Sequence, residues 1–383
     1  MARRQIGVDA SRCLRPRPTG TENYARHILS ALLALDEAAA YEWILYVDRE
    51  PPAARQFSWT QAPHATVRVL PRVRLWTHRA LAREMRRRPP DLLFVPAHVL
   101  PFAGAFGAKP PAVMTVHDLG YEYFPEAHTP LQRRYLQWST RYAVRRAARL
   151  ICVSEATRTD LIRLYGARES KLDVVYEGDV RRRSPLADPI GTAHRSALGV
   201  TCPYMLFLST VQPRKNVERL IRSYTRLVQT QALELDLVVA GQLGWLSETI
   251  VRTARRAPAA DRIHLLGYVD EDAAAALYAG ATFFCYPSLH EGFGLPVLEA
   301  QSAGVPVMTS RRSALPEVAG DAALLVNPED EEEIAAAMLR LSNDETLRQE
   351  LIRKGYENVK RFSWSKAARE TLEVLQKAMD SDP

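Results

Sequence analysis

Cysteine is sparse in this chain: four in 383 residues, at positions 13, 152, 202 and 285. They are too scattered for a disulfide framework and lack the paired spacing of a zinc site. Long apolar runs are also missing. None approaches the roughly 18 residues that span a bilayer, which argues against a helical membrane protein. After Met-Ala-Arg-Arg the chain goes directly into Gln-Ile-Gly-Val-Asp, so no export signal is expected and the thiols are expected to stay reduced in a cytoplasm. No repeat or low-complexity tract stands out. What is present, 47% apolar and 25% charged residues, is the profile of a soluble globular enzyme. The length exceeds one ordinary core, so two domains of roughly 150–200 residues are expected.

The net charge of +7 is unevenly spread. Residues 1–200 hold 31 Lys and Arg against 19 Asp and Glu, and within residues 51–150 the balance is 16 against 5. Such an excess suits an anionic partner (nucleic acid, acidic lipid or a phosphorylated substrate) or a solvated arginine-rich face. In "WTHRALAREMRRR" (76–88) a helical wheel groups Trp76, Arg83 and Arg87, with Arg79 and Arg86 beside them and Leu81, Ala82 and Met85 roughly opposite. Around 130–147, Arg134, Arg141 and Arg145 flank a stripe of Leu131, Tyr135, Trp138 and Tyr142. Arginines interleaved with tryptophan fit an anionic membrane surface or a phosphorylated lipid carrier.

Both halves alternate short apolar runs with helical patterns. "RQIGVDA" (4–10), "EWILYVD" (42–48), "LLFVPA" (92–97), "AVMTVHDL" (112–119), "RLICVS" (149–154) and "LDVVYEG" (172–178) read as buried strands. "YMLFLST" (204–210), "LDLVVAG" (235–241), "IHLLGYV" (263–269), "TFFCYP" (282–287) and "VPVMTS" (305–310) repeat the scheme. Strand–helix alternation with continuous apolar strands means parallel sheets covered on both faces. The expected class is therefore α/β, with two Rossmann-like domains at 1–185 and 186–383; the last helix could pack back on the first domain. The join is expected in "DVRRRSPLADPIGTAH" (179–194), where proline, glycine and charge break the periodicity. Ligands of such sheets bind at the carboxyl ends of the strands.

One stretch at such an end carries recognisable chemistry. In "HEGFGLPVLEA" (290–300), Gly292 and Gly294 allow a tight turn and Pro296 suits a first helical turn. Amides at this turn (Phe293, Gly294, Leu295), aided by the helix dipole, would hold a phosphate. Glu291 would face what the phosphate carries, and Glu299 could accept hydrogen bonds from ribose hydroxyls. A loop glutamate plus a helix-surface glutamate is the alternative. In "LSTVQPRKNVERLI" (208–221), Arg214 and Lys215 would place two cations at the mouth of the site, with Asn216 capping the next helix. Fixed cations stabilise a diphosphate leaving group better in the transition state than before it.

These motifs resemble the retaining family-4 glycosyltransferases, which have the GT-B fold: two Rossmann-like parallel-sheet domains facing a central cleft. "HEGFGLPVLEA" is similar to their E-x7-E signature. "YPSLHEGFGLPVLEAQSAGVPVMTSRRSALPEVAGDAALLVNPED" (286–330), "PRKN", "VHDL" (116–119) and "VSEATRTDL" (153–161) follow in the family's order. The resemblance covers nearly the whole chain. It implies catalytic roles for His117, Arg214, Lys215 and Glu291. Donor contacts would come from Gly20, Arg214, Lys215, Val269 (backbone), Glu291, Phe293, Gly294, Leu295 and Glu299, and acceptor contacts from Thr19, His117 and Asp118. For His117 a positioning role is favoured over an obligate base, and Asp118 could simply cap the following turn. Thr19-Gly20 stands where the family often has Gly-Gly, Ser209-Thr210 where many relatives have glycine, and Gln301 where an apolar residue is common.

The expected activity is transfer of a hexose, foremost mannose from GDP-mannose, to a saccharide or lipid-linked acceptor in surface-polysaccharide assembly. UDP-sugars are the close alternative donor. The resemblance implies same-face substitution, a nucleotide sugar as co-substrate, no cofactor and no metal, since Arg214 and Lys215 could do a cation's work. The enzyme would be cytoplasmic and could rest against an anionic membrane, with domain closure hinged near 179–194. A sugar-nucleotide epimerase or phosphorylase shares this architecture. A basic nucleic-acid-binding protein is the non-enzymatic reading; no nucleic-acid partner is expected, since no recognition-helix module or aromatic platform is evident.

Overall fold

The continuous aliphatic runs become strands covered on both faces, which is why they lack polar alternation. The computed structural model describes residues 3–15, 20–51, 57–97, 99–102, 110–178 and 188–380. Its strands are β1 (Gln5–Asp9), β2 (Glu42–Val47), β3 (Ala65–Val69), β4 (Leu92–Val95), β5 (Ala112–Val116), β6 (Arg149–Cys152) and β7 (Leu172–Val174), then β8 (Tyr204–Leu208), β9 (Asp236–Ala240), β10 (Ile263–Gly267), β11 (Phe283–Tyr286), β12 (Val307–Ser310) and β13 (Ala323–Val326). Among the described residues they form two parallel sheets, ordered β3-β2-β1-β4-β5-β6-β7 and β10-β9-β8-β11-β12-β13. In each, the chain starts near the middle, winds to one edge, returns and winds to the other. This is the doubly wound Rossmann-like order.

The sheet centres are the core. Val8 sits between Leu45 and Phe94, and Leu206 between Val238 and Phe284; all six are fully buried. Each such side chain contributes about 1.5–3 kcal/mol of burial. Helices cover the sheets by the same logic. In Val217–Gln229, Val217, Leu220, Ile221, Tyr224 and Leu227 are buried, the 3–4 spacing of an amphipathic helix. β3 and β13, each at a sheet edge, do not figure among the apolar runs read from the sequence. β3 reads Ala-Thr-Val-Arg-Val, with polar residues among the valines and Val69 exposed, so it lacks the unbroken apolar pattern of a central strand; β13, Ala-Leu-Leu-Val, is a continuous apolar run that could have been read as a strand.

The chain divides into Met1–Gly178 with Ser363–Pro383, and Asp179–Phe362. The boundary thus lies at 178/179 instead of 185/186, and the last helix, Trp364–Asp380, counts with the first domain. Trp364 meets the rings of Tyr24 and His27, 5.8 and 5.2 Å between centroids. Gly178 abuts its backbone so closely that a Cβ would lie 2.3 Å from the Trp364 nitrogen. Of the expected join at 179–194, residues 179–187 lie outside the described residues, and Asp188–Ala197 is helix.

The basic helices differ in outcome. In the segment Thr77–Leu81 and Ala82–Arg87, Leu81, Ala82 and Met85 are buried and Arg79, Arg83, Arg86 and Arg87 exposed, as the wheel predicts. In helix Pro130–Arg146 the inward side consists of Ser139, Thr140 and Ala143. Most of the stripe therefore turns outward: Leu131 is 79%, Trp138 42% and Tyr135 36% exposed, while Tyr142 packs against the core.

Candidate active site

The second sheet reverses direction between β8 and β11, so the loops leaving these neighbours diverge and open a crevice at their carboxyl ends. The loop after β8 carries Arg214 and Lys215 and the loop after β11 carries Glu291. The two loops are stitched by backbone: Leu289 N donates to Arg214 O, and the Arg214 guanidinium donates to His290 O. Asn216, in a left-handed conformation that asparagine tolerates, stands at the start of helix Val217–Gln229 but does not cap it with its side chain. Instead its Nδ2 donates to Pro287 O and Pro328 O, pinning three loops together. The capping expectation is corrected on this point.

Within the crevice two cations close on one carboxylate. Arg214 Nη1 lies 3.0 Å from Glu291 Oε2, and Lys215 Nζ 2.6 Å from Oε1. Tyr286 Oη and Ser288 Oγ also donate to Oε1, at 2.9 and 2.6 Å. Lys215 Nζ donates to Tyr286 Oη as well, at 2.5 Å. Burial alone would raise the pKa of Glu291. Arg214 and Lys215 outweigh it, helped by the hydrogen bonds of Lys215 and Ser288, and hold it at about 2. Tyr286 is pushed well above 10, by burial first and then by the Glu291 charge, so it remains a phenol and a donor. The motif predicts Glu291 facing ligand. The structure buries it and engages both oxygens with protein groups, so its geometric effect is to hold Arg214 and Lys215 in place.

Sequence inspection missed Tyr286 and Ser288. Tyr286 ends an apolar strand and reads as core until its hydroxyl is seen among Lys215, Glu291 and Ser209.

The turn that follows is built as expected. Gly294 has φ 119° and a Cβ there would lie 2.8 Å from Leu315 Cδ2, so only glycine fits. It precedes helix Leu295–Ser302, where the first N–H groups have no acceptor within the helix. Phe293 points inward against Phe362, 5.7 Å between centroids, which leaves its backbone, not its ring, for a ligand. Glu299, one turn on, accepts from Tyr278 Oη at 3.1 Å. Val269 is half-buried beside the exposed Tyr268. Asp270, Glu271 and Asp272, three consecutive carboxylates, open helix Glu271–Gly280, where Asp270 caps Ala273 N; among the described residues no cluster of acids, histidines or cysteines is arranged to hold a metal. Gln301 is buried in a polar node, donating to Ala319 O and Ala322 O and accepting from Asn358.

In the first domain, His117 follows β5 at the corresponding edge. Its Nε2 lies 3.1 Å from Pro96 O; a carbonyl only accepts, so this nitrogen carries the hydrogen. Its Nδ1 faces Glu177 Oε1 at 3.7 Å, and Tyr24 packs edge-on at 4.6 Å. Glu177 is buried and was not singled out in the sequence. Asp118 accepts from Gly120 N at 2.9 Å, the turn-capping alternative. Gly20 begins helix Gly20–Leu33 in open space; Thr19 lies outside the described residues.

Comparison with known proteins follows the same division. A model described as "Glycosyltransferase Family 4" matches residues 18–179, and one described as "Glycosyl transferases group 1" matches 194–358. The chain is 33% identical over 268 residues to the O-antigen chain mannosyltransferase B of Escherichia coli, covering 69% of this chain and 70% of that one. Sucrose-phosphate synthase from Thermosynechococcus elongatus superposes with TM-score 0.76 at 20% identity, over 98% and 99% of the two chains. Anabaena HepE, solved with UDP-glucose, gives TM-score 0.72 at 19% identity, over 98% and 100%. On the two domain matches and a 33% identity that covers more than two thirds of both chains, the chain belongs to the group 1, family 4 glycosyltransferases, with the GT-B fold.

Proposed function

We propose that this glycosyltransferase moves mannose from GDP-mannose to a saccharide or lipid-linked saccharide, with retention at the anomeric carbon, without a metal, in surface-polysaccharide assembly. The observation that carries the reading is the cluster of half-buried Arg214 with buried Lys215 and Glu291 at the switch point of the second sheet. Two cations face one silenced carboxylate there, beside a glycine turn that heads a helix. A diphosphate seats on such a turn, with the Gly294 and Leu295 amides toward it. As the bond from the anomeric carbon to the diphosphate oxygen breaks, the departing oxygen gains charge that Arg214 and Lys215 stabilise without moving. The acceptor oxygen bonds the same face, and its proton passes to the departing phosphate. Glu299 takes the ribose hydroxyls. His117, held by Pro96 and Glu177, positions the sugar or the acceptor.

The mannosyl assignment is supported by the name of the Escherichia coli relative. UDP-sugars form the second reading, favoured by the nucleotide sugar in the Anabaena structure. Incubation with GDP-mannose, UDP-glucose and ADP-glucose, with melting temperatures and slow donor hydrolysis as readouts, separates them, because binding to the folded state raises the melting point. A shift with none of the three, together with salt-sensitive DNA binding, would overturn the enzymatic reading. Unchanged turnover in excess chelator is expected, and complete loss would remove the metal-independent mechanism. The outward stripe of Trp138 and Tyr135 among arginines suits anionic lipid at the inner face of a membrane; flotation with acidic but not neutral vesicles is the expected result.

A further inference from the structure

The first domain holds a cavity of about 840 Å³ at the edge of its sheet opposite His117. Its walls include Asp91, Ala112, Ala148 and Lys171, the residues that immediately precede or open β4, β5, β6 and β7. None of the residues assigned above to donor or acceptor lies in it. We infer that this cavity binds a phosphate monoester carried on an apolar chain.

Two features of the lining, apolar depth and unbalanced charge, point to that class. Met85, Leu93 and Leu100 are buried where they line it, and Tyr142 adds an aromatic wall. Arg146, Arg168 and Lys171 line it as well. Among the described residues, no carboxylate is within ion-pair distance of these three. The acid in the lining, Asp91, accepts the Gln5 N–H at 2.6 Å, and Arg4 is paired with Asp380. Lys171 Nζ donates to Ala147 O at 2.7 Å, which fixes the ammonium at the rim. Its pKa is lowered, by burial first and then by repulsion from Arg168 and Arg146. An anion among them relieves that repulsion, and a phosphate monoester carries nearly two charges at neutral pH.

The size excludes a bare anion as the natural occupant. Pockets for small organic ligands run to about 300–1,000 Å³, far more than a phosphate fills, and the aliphatic walls offer hydroxyl-rich sugars few partners. Tyr142 also stacks on the exposed Trp138, 5.6 Å between centroids, so the cavity adjoins the outward aromatic stripe. An amphiphile reaching the protein along that stripe would find cations for its head and apolar walls for its chain.

The test is calorimetric titration of the full chain with decyl phosphate, inorganic phosphate and neutral decyl maltoside, each below micellar concentration. Saturable binding of decyl phosphate at one site is expected, at least about tenfold tighter than inorganic phosphate, with no binding of decyl maltoside. Arg146→Gln with Arg168→Gln should weaken it about tenfold or more, the scale of two charged contacts. Both arginines are exposed, so the variant should fold, with an unchanged melting temperature as the control. Lys171→Gln should weaken it separately. Equal binding of decyl maltoside, equal binding of inorganic phosphate, or unaltered affinity in the variants would each overturn the assignment. So would adsorption to acidic vesicles without saturable binding of the monomer. Because donor hydrolysis involves none of these residues, its failure would bear on the proposed transferase activity and not on this site.

Discussion

At the switch point of the second sheet, Arg214 and Lys215 close on a single carboxylate. At the switch point of the first, carboxylates predominate: Asp9, Glu22 and Glu177 are all buried, with Arg12 on Glu22 and His117 on Glu177. The winding of the two sheets is the same, so topology places a binding edge in each but does not decide what binds. Side chains do. Fixed cations suit a phosphate, while carboxylates and a histidine suit hydroxyl groups, which need acceptors. The proposed pairing of donor with the second domain and acceptor with the first rests on this contrast.

Removing Glu291 should break the contrast most severely. Glu291→Ala leaves Lys215 buried, and Arg214 half-buried, without their carboxylate, an arrangement that costs about 3–5 kcal/mol. Donor turnover should fall to background, and denaturant unfolding should show the loss of stability. Wild-type stability would remove the proposed clamp. Acid titration sharpens the point. The folded pKa of about 2 lies below the ordinary 4.5, so the carboxylate's contribution is complete above pH 4.5 and is lost as pH falls toward 2. That contribution is on the order of 3 kcal/mol, and Glu291→Gln should abolish this part of the pH dependence.

Next in size is Lys215→Ala. It deletes a cation while Arg214 still satisfies Glu291, so the fold should survive with a lowered melting temperature. Turnover should drop about 10²–10³-fold, as for loss of one preorganised charge donor. If KM rises instead and kcat stays level, Lys215 binds the donor equally before and during reaction. Glu299→Ala should be milder, raising donor KM about tenfold with kcat little changed, the value of a carboxylate–hydroxyl contact.

The contrast also explains what was legible in the sequence. Strands buried on both faces announce themselves by composition, so β8 and β11, and with them the place of Arg214, Lys215 and Glu291, could be read directly. Strand β3 could not, because its half-exposed positions carry threonine and arginine among the valines. The outward face of Pro130–Arg146 was hidden for a related reason. Ser139, Thr140 and Ala143 pack inward because they are small, while the larger rings look more like core. The inward turn of Glu291 depends on Tyr286 and Ser288, whose hydroxyls acquire meaning only once β11 and its loop are placed.

The smallest expected effect lies at the first switch point, with opposite sign. Asp9, at the end of β1, accepts from Ser11 N and Oγ at 3.1 and 2.6 Å, yet burial still raises its pKa above the ordinary value. For a carboxyl group raised in this way, the favourable contribution is present below the unfolded pKa and fades as pH rises through the folded one. Asp9→Asn keeps an oxygen for both Ser11 contacts and removes the buried charge. Its melting temperature at pH 7 should therefore rise by about 2 °C, and the gain should vanish as pH is lowered through the carboxylate range. Glu291→Gln should lose stability at pH 7 and converge on the wild type from below as the acid is titrated. Scanning both variants from pH 7 to pH 3 compares the two edges directly. If Asp9→Asn is destabilised at neutral pH as Glu291→Gln is, the Asp9 carboxylate is matched by a cation, and the division into an anion-binding edge and a hydroxyl-binding edge fails.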